Sequence, residues 1–323
     1  MLEKQNSDEE IRRFQELLLQ SKEMSLDESR EHARVAYNEI AHEMLQDAAS
    51  LIGQSEGFLE KRLLPFVIEY TPDVNAKINS LDGWQTFTIT LNLGIILFTS
   101  KMATLLVSRL GIVDENGVSV DEPLISFERT ATISRTLMEA FWNCQCHKVS
   151  GLQITTELTE QQKMLLALIC LNMRSFIIGH ELGHVVFKLT RNDLDEIFLA
   201  KELMKIFFSL DGKCSDVDKQ MEAKWSEEVA SDLIGLRLSI NRHRNSLNQS
   251  LQYASAELFF MLQNMLVEFR EAQGHQILKT GTHPPSDVRL EVIRRLTGYS
   301  KHPLVSNICE GFQQILKWIT ESL

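Results

Sequence analysis

Apolar residues recur along most of the chain with the period of an amphipathic helix. Apolar side chains return at three- and four-residue spacing with polar side chains between them, which indicates a helix because one turn takes about 3.6 residues. The pattern predicts helices over 8–22, 28–53, 94–110, 126–147, 159–190, 193–210, 216–242, 248–273, 285–297 and 303–321. The chain is therefore expected to be mostly α-helical.

One stretch has the pattern of a β-strand. Residues 86–93 alternate polar and apolar side chains, and from Gly94 the period becomes helical. Residues 87–107 are long enough for one membrane span. Asn92 and Lys101 interrupt them, so a buried strand followed by a buried helix is the preferred interpretation, and no stable membrane span is expected.

Turn-forming residues divide the remaining segments. Residues 62–84 contain several Pro, Asn, Asp and Gly residues and have no clear period, whereas residues 112–124 enclose Asp-Glu-Asn-Gly and predict a turn or a short hairpin. The expected fold class is mainly α with a small β-sheet (α+β). Residues 1–60 are expected to form an N-terminal helical extension, and residues 61–323 the main domain.

Composition and charge narrow the class of protein. Of the 323 residues, 44% are hydrophobic and 24% charged, as in globular domains rather than disordered chains. The net charge of −11 repels phosphate backbones, so nucleic acid is not an expected partner. The acidic N-terminus has no apolar signal core, and the five cysteines are odd in number without a disulfide pattern, which together favour the reducing cytoplasm.

The candidate chemistry lies in the helix predicted over 159–190. His180 and His184 are one helical turn apart, so both imidazoles project from one face and can reach one Zn²⁺ ion. Glu181 lies beside the first histidine, where it can act as general base toward a water; this is the His-Glu-x-x-His arrangement. The alternative is a chance match on a surface helix, which the apolar run over 163–178 disfavours.

A catalytic zinc needs a third protein ligand, and Glu228 is the best candidate. Glu228 and Asp232 are one turn apart, and they share a helix stripe with three apolar residues: Met221, Trp225 and Leu236. Asp232 can accept the free ring N–H of His180 and so fix its tautomer. The alternative is a solvated charged face in which Glu227 and Glu228 only end a polar run.

With these residues in place, the sequence resembles the gluzincin metallopeptidases, and within them the group of the CAAX prenyl protease and the heat-shock protease HtpX. Further elements follow in that group's order. They are a Val-Asn-Ala segment at 72–76, a strand leading to Gly-Ile-Ile at 94–96, Gly183 within the zinc motif, and a Thr-His-Pro segment with a later Arg at 282–289. The resemblance covers roughly residues 72–295.

The sequence also departs from that group. The motif Glu-x-x-Ala-Asp is Glu-Val-Ala-Ser-Asp here, the Asn-Ala element continues with Lys-Ile-Asn, and membrane spans such as many relatives have are not expected. A membrane-embedded or prenylated substrate is therefore not expected. In size the chain is more similar to soluble members of the clan, such as the Lit-type phage-exclusion peptidases.

The resemblance implies a zincin-type domain over 61–323 that holds one catalytic zinc and cleaves a protein or peptide substrate. His283 of the Thr-His-Pro segment is expected to stabilise the oxyanion, or alternatively to cap a turn before Pro284. Arg289 is expected to anchor this segment by an ion pair. Residues 86–92 are expected to be an edge strand that pairs with an extended substrate.

Two further interpretations remain open. Cys144, Cys146 and His147 form Cys-x-Cys-His, a weak signal for a second metal site because no second ligand pair lies nearby. In the alternative function, the chain is a protein-binding or regulatory module with a silenced or latent peptidase-like core, and its N-terminal helices dock a regulatory partner. The intact Glu181 disfavours that alternative, since a structural zinc site needs no base.

Overall fold

The structure, a computed structural model, describes 16 parts of the chain. These are residues 26–55, 57–69, 76–109, 113–114, 117–118, 127–143, 145, 148–149, 152, 154, 158–190, 194–210, 216–243, 246–275, 283–297 and 303–321.

The described residues form nine α-helices, numbered here in chain order. They are α1 (Leu26–Leu51), α2 (Leu93–Val107), α3 (Phe127–Trp142), α4 (Glu160–Leu189), α5 (Asp195–Leu210), α6 (Asp216–Asn241), α7 (Ser246–Ala272), α8 (Ser286–Thr297) and α9 (Pro303–Glu321). Each matches a helix predicted from the apolar period, and the largest difference is at the end of α3, which stops at Trp142 rather than 147. The predicted helix over 8–22 lies outside the described residues. The mainly α-helical prediction is confirmed.

A small sheet of three strands completes the α+β fold. The strands are β1 (Val67–Glu69), β2 (Lys77–Leu81) and β3 (Thr86–Asn92), in the order β1-β3-β2. β3 runs parallel to β1 and antiparallel to β2. Two further strands, β4 (Val113–Asp114) and β5 (Gly117–Val118), pair antiparallel, as predicted for the hairpin within 112–124.

The expectation that residues 86–92 form an edge strand is wrong. β3 is the central strand, because β1 pairs with one of its sides and β2 with the other. Its side chains are accordingly buried from Ile89 to Asn92, whereas four of the five residues of β2 are exposed. Among the described residues, β1 and β2 are therefore the two edge strands of this sheet.

The junction between β3 and α2 follows from one side chain. Asn92 ends the strand in an extended conformation, and its Oδ1 accepts a hydrogen bond of 2.8 Å from the backbone N–H of Gly94. This N-cap satisfies a donor that the first turn of a helix otherwise leaves unpaired. The strand followed by a helix, predicted in preference to a membrane span over 87–107, is confirmed.

Helix α4 lies at the centre of the fold. It begins at a capping box in which Thr159 and Gln162 exchange side-chain and backbone hydrogen bonds. It packs against α1, α2, α6 and α7. α4 is long and apolar enough to cross a membrane, and 89% of its most apolar 18-residue stretch is buried within the protein. That burial is what a core helix requires.

Helix α1 contributes directly to the hydrophobic core. Its apolar face, which includes Tyr37, Met44 and Leu45, is almost completely buried and belongs to the same cluster as the apolar residues of α4. Arg242, which follows α6, forms an ion pair with Glu43 on α1. The predicted domain boundary at residue 60 stays a prediction.

Candidate metal site

The site lies where α4 and α6 cross, and glycines permit that crossing. A Cβ atom at Gly179 would lie 2.6 Å from the carbonyl oxygen of Gly235, and one at Gly183 would lie 2.6 Å from that of Ser231. Both distances are shorter than real Cβ atoms show. Glycine at these positions therefore lets the two backbones approach closely, which brings Glu228 on α6 within reach of the histidines on α4.

Three side chains converge at this crossing. His180 Nε2 lies 3.6 Å from Glu228 Oε2, and His184 Nε2 lies 3.6 Å from Glu228 Oε1. The ligand atoms of all three residues lie within 4.8 Å of one another. Glu181 Oε1 is 4.0 Å from His180 Nε2, so its carboxylate borders the same space. The buried His-His-Glu group can hold a metal ion.

His180 has the carboxylate partner that the sequence predicts. Asp232 Oδ1 lies 2.9 Å from His180 Nδ1. Arg289 in turn donates two hydrogen bonds to Asp232: Nε lies 2.7 Å from Oδ2, and Nη2 lies 2.5 Å from Oδ1. The Arg289 guanidinium also stacks 4.8 Å from the ring centre of Phe260. The ion pair predicted for Arg289 is present, and it holds α8 to α6 through a buried contact.

His184 has a carboxylate partner that sequence reasoning missed. Glu227 Oε1 lies 3.3 Å from His184 Nδ1, and Glu227 Oε2 pairs with Lys188 Nζ. The sequence suggested for Glu227 only a place on a solvated charged face. The signal in the sequence is Lys188, which lies one turn after His184 on the same face of α4.

His283 lies at the edge of the site. Its Nε2 is 3.3 Å from Glu228 Oε1, and 37% of its side chain is exposed. Burial lowers the pKa of His283 to about 4, and the nearby Arg289 and His184 act in the same direction. The structure thus brings His283 to the metal site, while its role there stays a prediction. Thr282 and the Cys144, Cys146 and His147 group lie outside the described residues.

Burial controls the protonation of the two acids that face the metal space. It raises the pKa of Glu181 to about 7, against the lowering effect of His184, and that of Glu228 to about 7, against the lowering effect of Arg289. At both positions, the nearby positive charges are therefore too weak to offset the cost of burying an ionised carboxylate. A cation between them would favour the ionised forms.

The pKa values of His180 and Asp232 are lowered, whereas that of His184 is raised. Burial lowers the pKa of His180 to about 3, so its ring is neutral near pH 7 and suited to metal ligation. Burial also opposes protonation of His184, but Glu227, Glu181 and Glu228 together raise its pKa. Burial alone would raise the pKa of Asp232, whereas Arg289 and His180 hold it at about 2.

One atom gives an independent test of whether these residues fit a cation. Glu228 Oε2 is buried, and no hydrogen-bond donor reaches it within the described part of the chain. A buried carboxylate oxygen without a partner is costly. A cation held jointly with His180 and His184 would remove that cost, so the donor set fits a metal ion.

Comparison of the chain with protein families, with curated proteins and with solved structures found no match. The geometry and chemistry of the site itself are therefore the basis for inferring its function.

Proposed function

We propose that the chain is a zinc-dependent endopeptidase of the gluzincin type, with His180, His184 and Glu228 as metal ligands. One observation carries the proposal: potential ligand atoms of three side chains converge within 4.8 Å, and the buried carboxylate of Glu181 borders the same space. A structural zinc site is closed by four protein ligands, whereas a catalytic site uses three and leaves one position open. The element order, a small sheet, then α4, then α6, supports a zincin-type domain.

Zinc is the metal that suits this donor set. Two imidazole nitrogens and one carboxylate form one of the common catalytic zinc sets. When bound, zinc would supply Lewis acidity, polarising a scissile carbonyl and lowering the pKa of a water from about 15.7 toward 7. Asp232 and Glu227 hold the two rings so that each Nε2 faces the metal space.

Glu181 is the proposed general base. Its carboxylate borders the space that His180 Nε2 and Glu228 face, so it can take a proton from a water there and deliver it to the leaving amine. Its pKa of about 7 in the buried site falls when a cation lies beside it, because a neighbouring positive charge favours the carboxylate. His283, partly exposed at the same edge, is proposed to donate to the developing oxyanion.

The proposed substrate is a protein or peptide in an extended conformation. The strand proposed to pair with it is the edge strand β2 rather than β3, because both sides of β3 are already paired. β2 also contacts α4, which carries the two histidines and Glu181. Strand addition gives affinity through backbone hydrogen bonds, independent of most side chains of the substrate.

The test combines metal content with turnover of an unfolded protein substrate. We expect wild type and Glu181→Gln each to bind about one zinc per chain, and the variant to lose activity by about 10²–10⁴-fold. Glu160→Gln is the matched control, because Glu160 is an exposed acid in the first turn of the same helix. A fully active Glu181→Gln enzyme, or a folded wild type that refuses zinc, would refute the proposal.

The regulatory-module alternative predicts a different result. A latent or silenced core would bind zinc but would not cleave the unfolded substrate, even when Glu181 is present. The described N-terminal helix, α1, uses its apolar face in the core, so that face is not available for docking. This burial favours the enzyme over the module.

A further inference from the structure

The second ligand histidine lies in a chain of three contacting side chains from two helices. Glu227 on α6 uses both carboxylate oxygens: Oε1 lies 3.3 Å from His184 Nδ1, and Oε2 pairs with Lys188 Nζ. His184 and Lys188 are one turn apart on α4, so the carboxylate lies against a single face of that helix. A carboxylate held at both oxygens has a fixed orientation, which a free surface acid lacks.

This contact determines which ring nitrogen faces the ligand group. A neutral imidazole carries one N–H. A carboxylate beside Nδ1 favours the tautomer with the proton on Nδ1, because it accepts the hydrogen bond that Nδ1–H donates. In the neutral ring, Nε2 of His184 is then the nitrogen without a proton, and it faces Glu228 Oε1 at 3.6 Å. That is the form in which a histidine binds a metal.

The arrangement around His184 parallels that around His180 but differs in exposure. Each ring contacts a carboxylate through Nδ1, and each carboxylate contacts a cation: Asp232 with Arg289, and Glu227 with Lys188. The Asp232 and Arg289 side chains are only 1% and 5% exposed, whereas those of Glu227 and Lys188 are 22% and 36% exposed. The Glu227 side is therefore more accessible to water, and its effect on the ring should be smaller.

We infer that Glu227, held by Lys188, is a positioning residue that sets the tautomer and orientation of His184 for metal binding. The inference rests on the proposed function only in taking His180, His184 and Glu228 as ligands. Lys188 pairs with the carboxylate oxygen that His184 does not use.

The experiment measures zinc affinity by competition with a chelator, for wild type, Glu227→Ala, Glu227→Gln and Lys188→Met. Loss of an outer carboxylate partner weakens metal binding by about 10–100-fold, and we expect the lower end for Glu227→Ala because this side is partly exposed. Glu227→Gln keeps a carbonyl oxygen that can accept from Nδ1, so its affinity should stay within about threefold of wild type. Lys188→Met should weaken binding less than Glu227→Ala.

Two further readouts distinguish positioning from a structural role. The visible d–d spectrum of the Co²⁺-substituted protein should change in Glu227→Ala and return toward that of wild type in Glu227→Gln. The urea midpoint of the metal-free Glu227→Ala protein should match that of Glu222→Ala. Glu222 is the control because it lies on the same helix. Among the described residues, no contact is seen between its side chain and His180, His184 or Glu228.

The inference is overturned if Glu227→Ala keeps the affinity and the Co²⁺ spectrum of wild type. It is also overturned if Glu227→Gln loses as much affinity as Glu227→Ala, since charge rather than hydrogen-bond acceptance would then be responsible. A wild-type protein that takes up no zinc contradicts the proposed function instead. The failure of one is thus distinguishable from the failure of the other.

Discussion

The substitution Gly183→Ala tests whether the glycines at the α4–α6 crossing set the ligand geometry. A Cβ at position 183 would meet the Ser231 carbonyl oxygen at 2.6 Å and the Ser231 Cα at 2.8 Å. These are backbone atoms, which cannot rotate away. Ordinary Cβ contacts begin at 3.4 Å, so the two helices would have to separate by about 0.8 Å at this point to relieve the overlap.

The consequence for metal binding follows from where the overlap occurs. Ser231 lies three residues after Glu228 on α6, and Gly183 precedes His184 on α4. Metal–ligand distances tolerate changes of only about 0.2 Å, so a shift of about 0.8 Å would take Glu228 out of range. We expect zinc affinity to fall at least tenfold. Overpacking costs about 1–3 kcal/mol, partly offset by about 1 kcal/mol for replacing glycine within a helix.

The assay combines chelator competition with urea unfolding of the metal-free protein, and circular dichroism verifies that the variant is folded. Gln161→Ala is the control, because Gln161 is exposed on the same helix. We expect a net loss of stability of about 1 kcal/mol together with the tenfold loss of affinity. A Gly183→Ala protein with unchanged affinity and stability would refute the conclusion that this close approach positions Glu228.

Two further predictions concern charge. Asp232→Asn should weaken zinc affinity by about 10–100-fold, measured by the same competition, and more than Glu227→Ala because Asp232 is buried and holds Arg289; an equal or smaller loss would contradict this ranking. Burial, with Arg242 nearby, lowers the pKa of His243 to about 4 from 6.5. Unfolding then takes up a proton between these values, so this contribution to stability is present above pH 6.5 and lost toward pH 4. Between pH 7 and pH 5, His243→Gln should lose about 1–2 kcal/mol less stability in urea unfolding than wild type; parallel pH profiles would contradict this.

The helices and the convergence of the candidate ligands were predictable because both depend on the periodicity of the α-helix. His180 and His184 lie one turn apart whatever their surroundings, and Glu228 and Asp232 share a stripe for the same reason. The structure places all four side chains together at one crossing. Helical spacing therefore predicted contacts between residues that lie more than forty positions apart in the chain.

The sheet order was not predictable in the same way. β1 and β2 are three and five residues long, too short for alternation to distinguish them from irregular chain, and they lie in a segment rich in turn-forming residues. Whether β3 is an edge strand or the central strand depends on whether β1 and β2 both pair with it. The partnership between Glu227 and His184 was missed because it depends on how closely two helices cross, which the glycines suggest only once the partner helix is known.

The two buried acids of the site would make folding stability depend on the metal ion that we propose. Without a cation, Glu181 and Glu228 both have a pKa of about 7, and Glu228 Oε2 has no donor among the described residues. A ligand that binds only the folded state at a thousand times its dissociation constant adds about 4.1 kcal/mol of stability. Because a change of about 1–2 kcal/mol can alter cellular abundance several-fold, binding of the proposed zinc ion would make the abundance of the folded protein depend on the supply of metal.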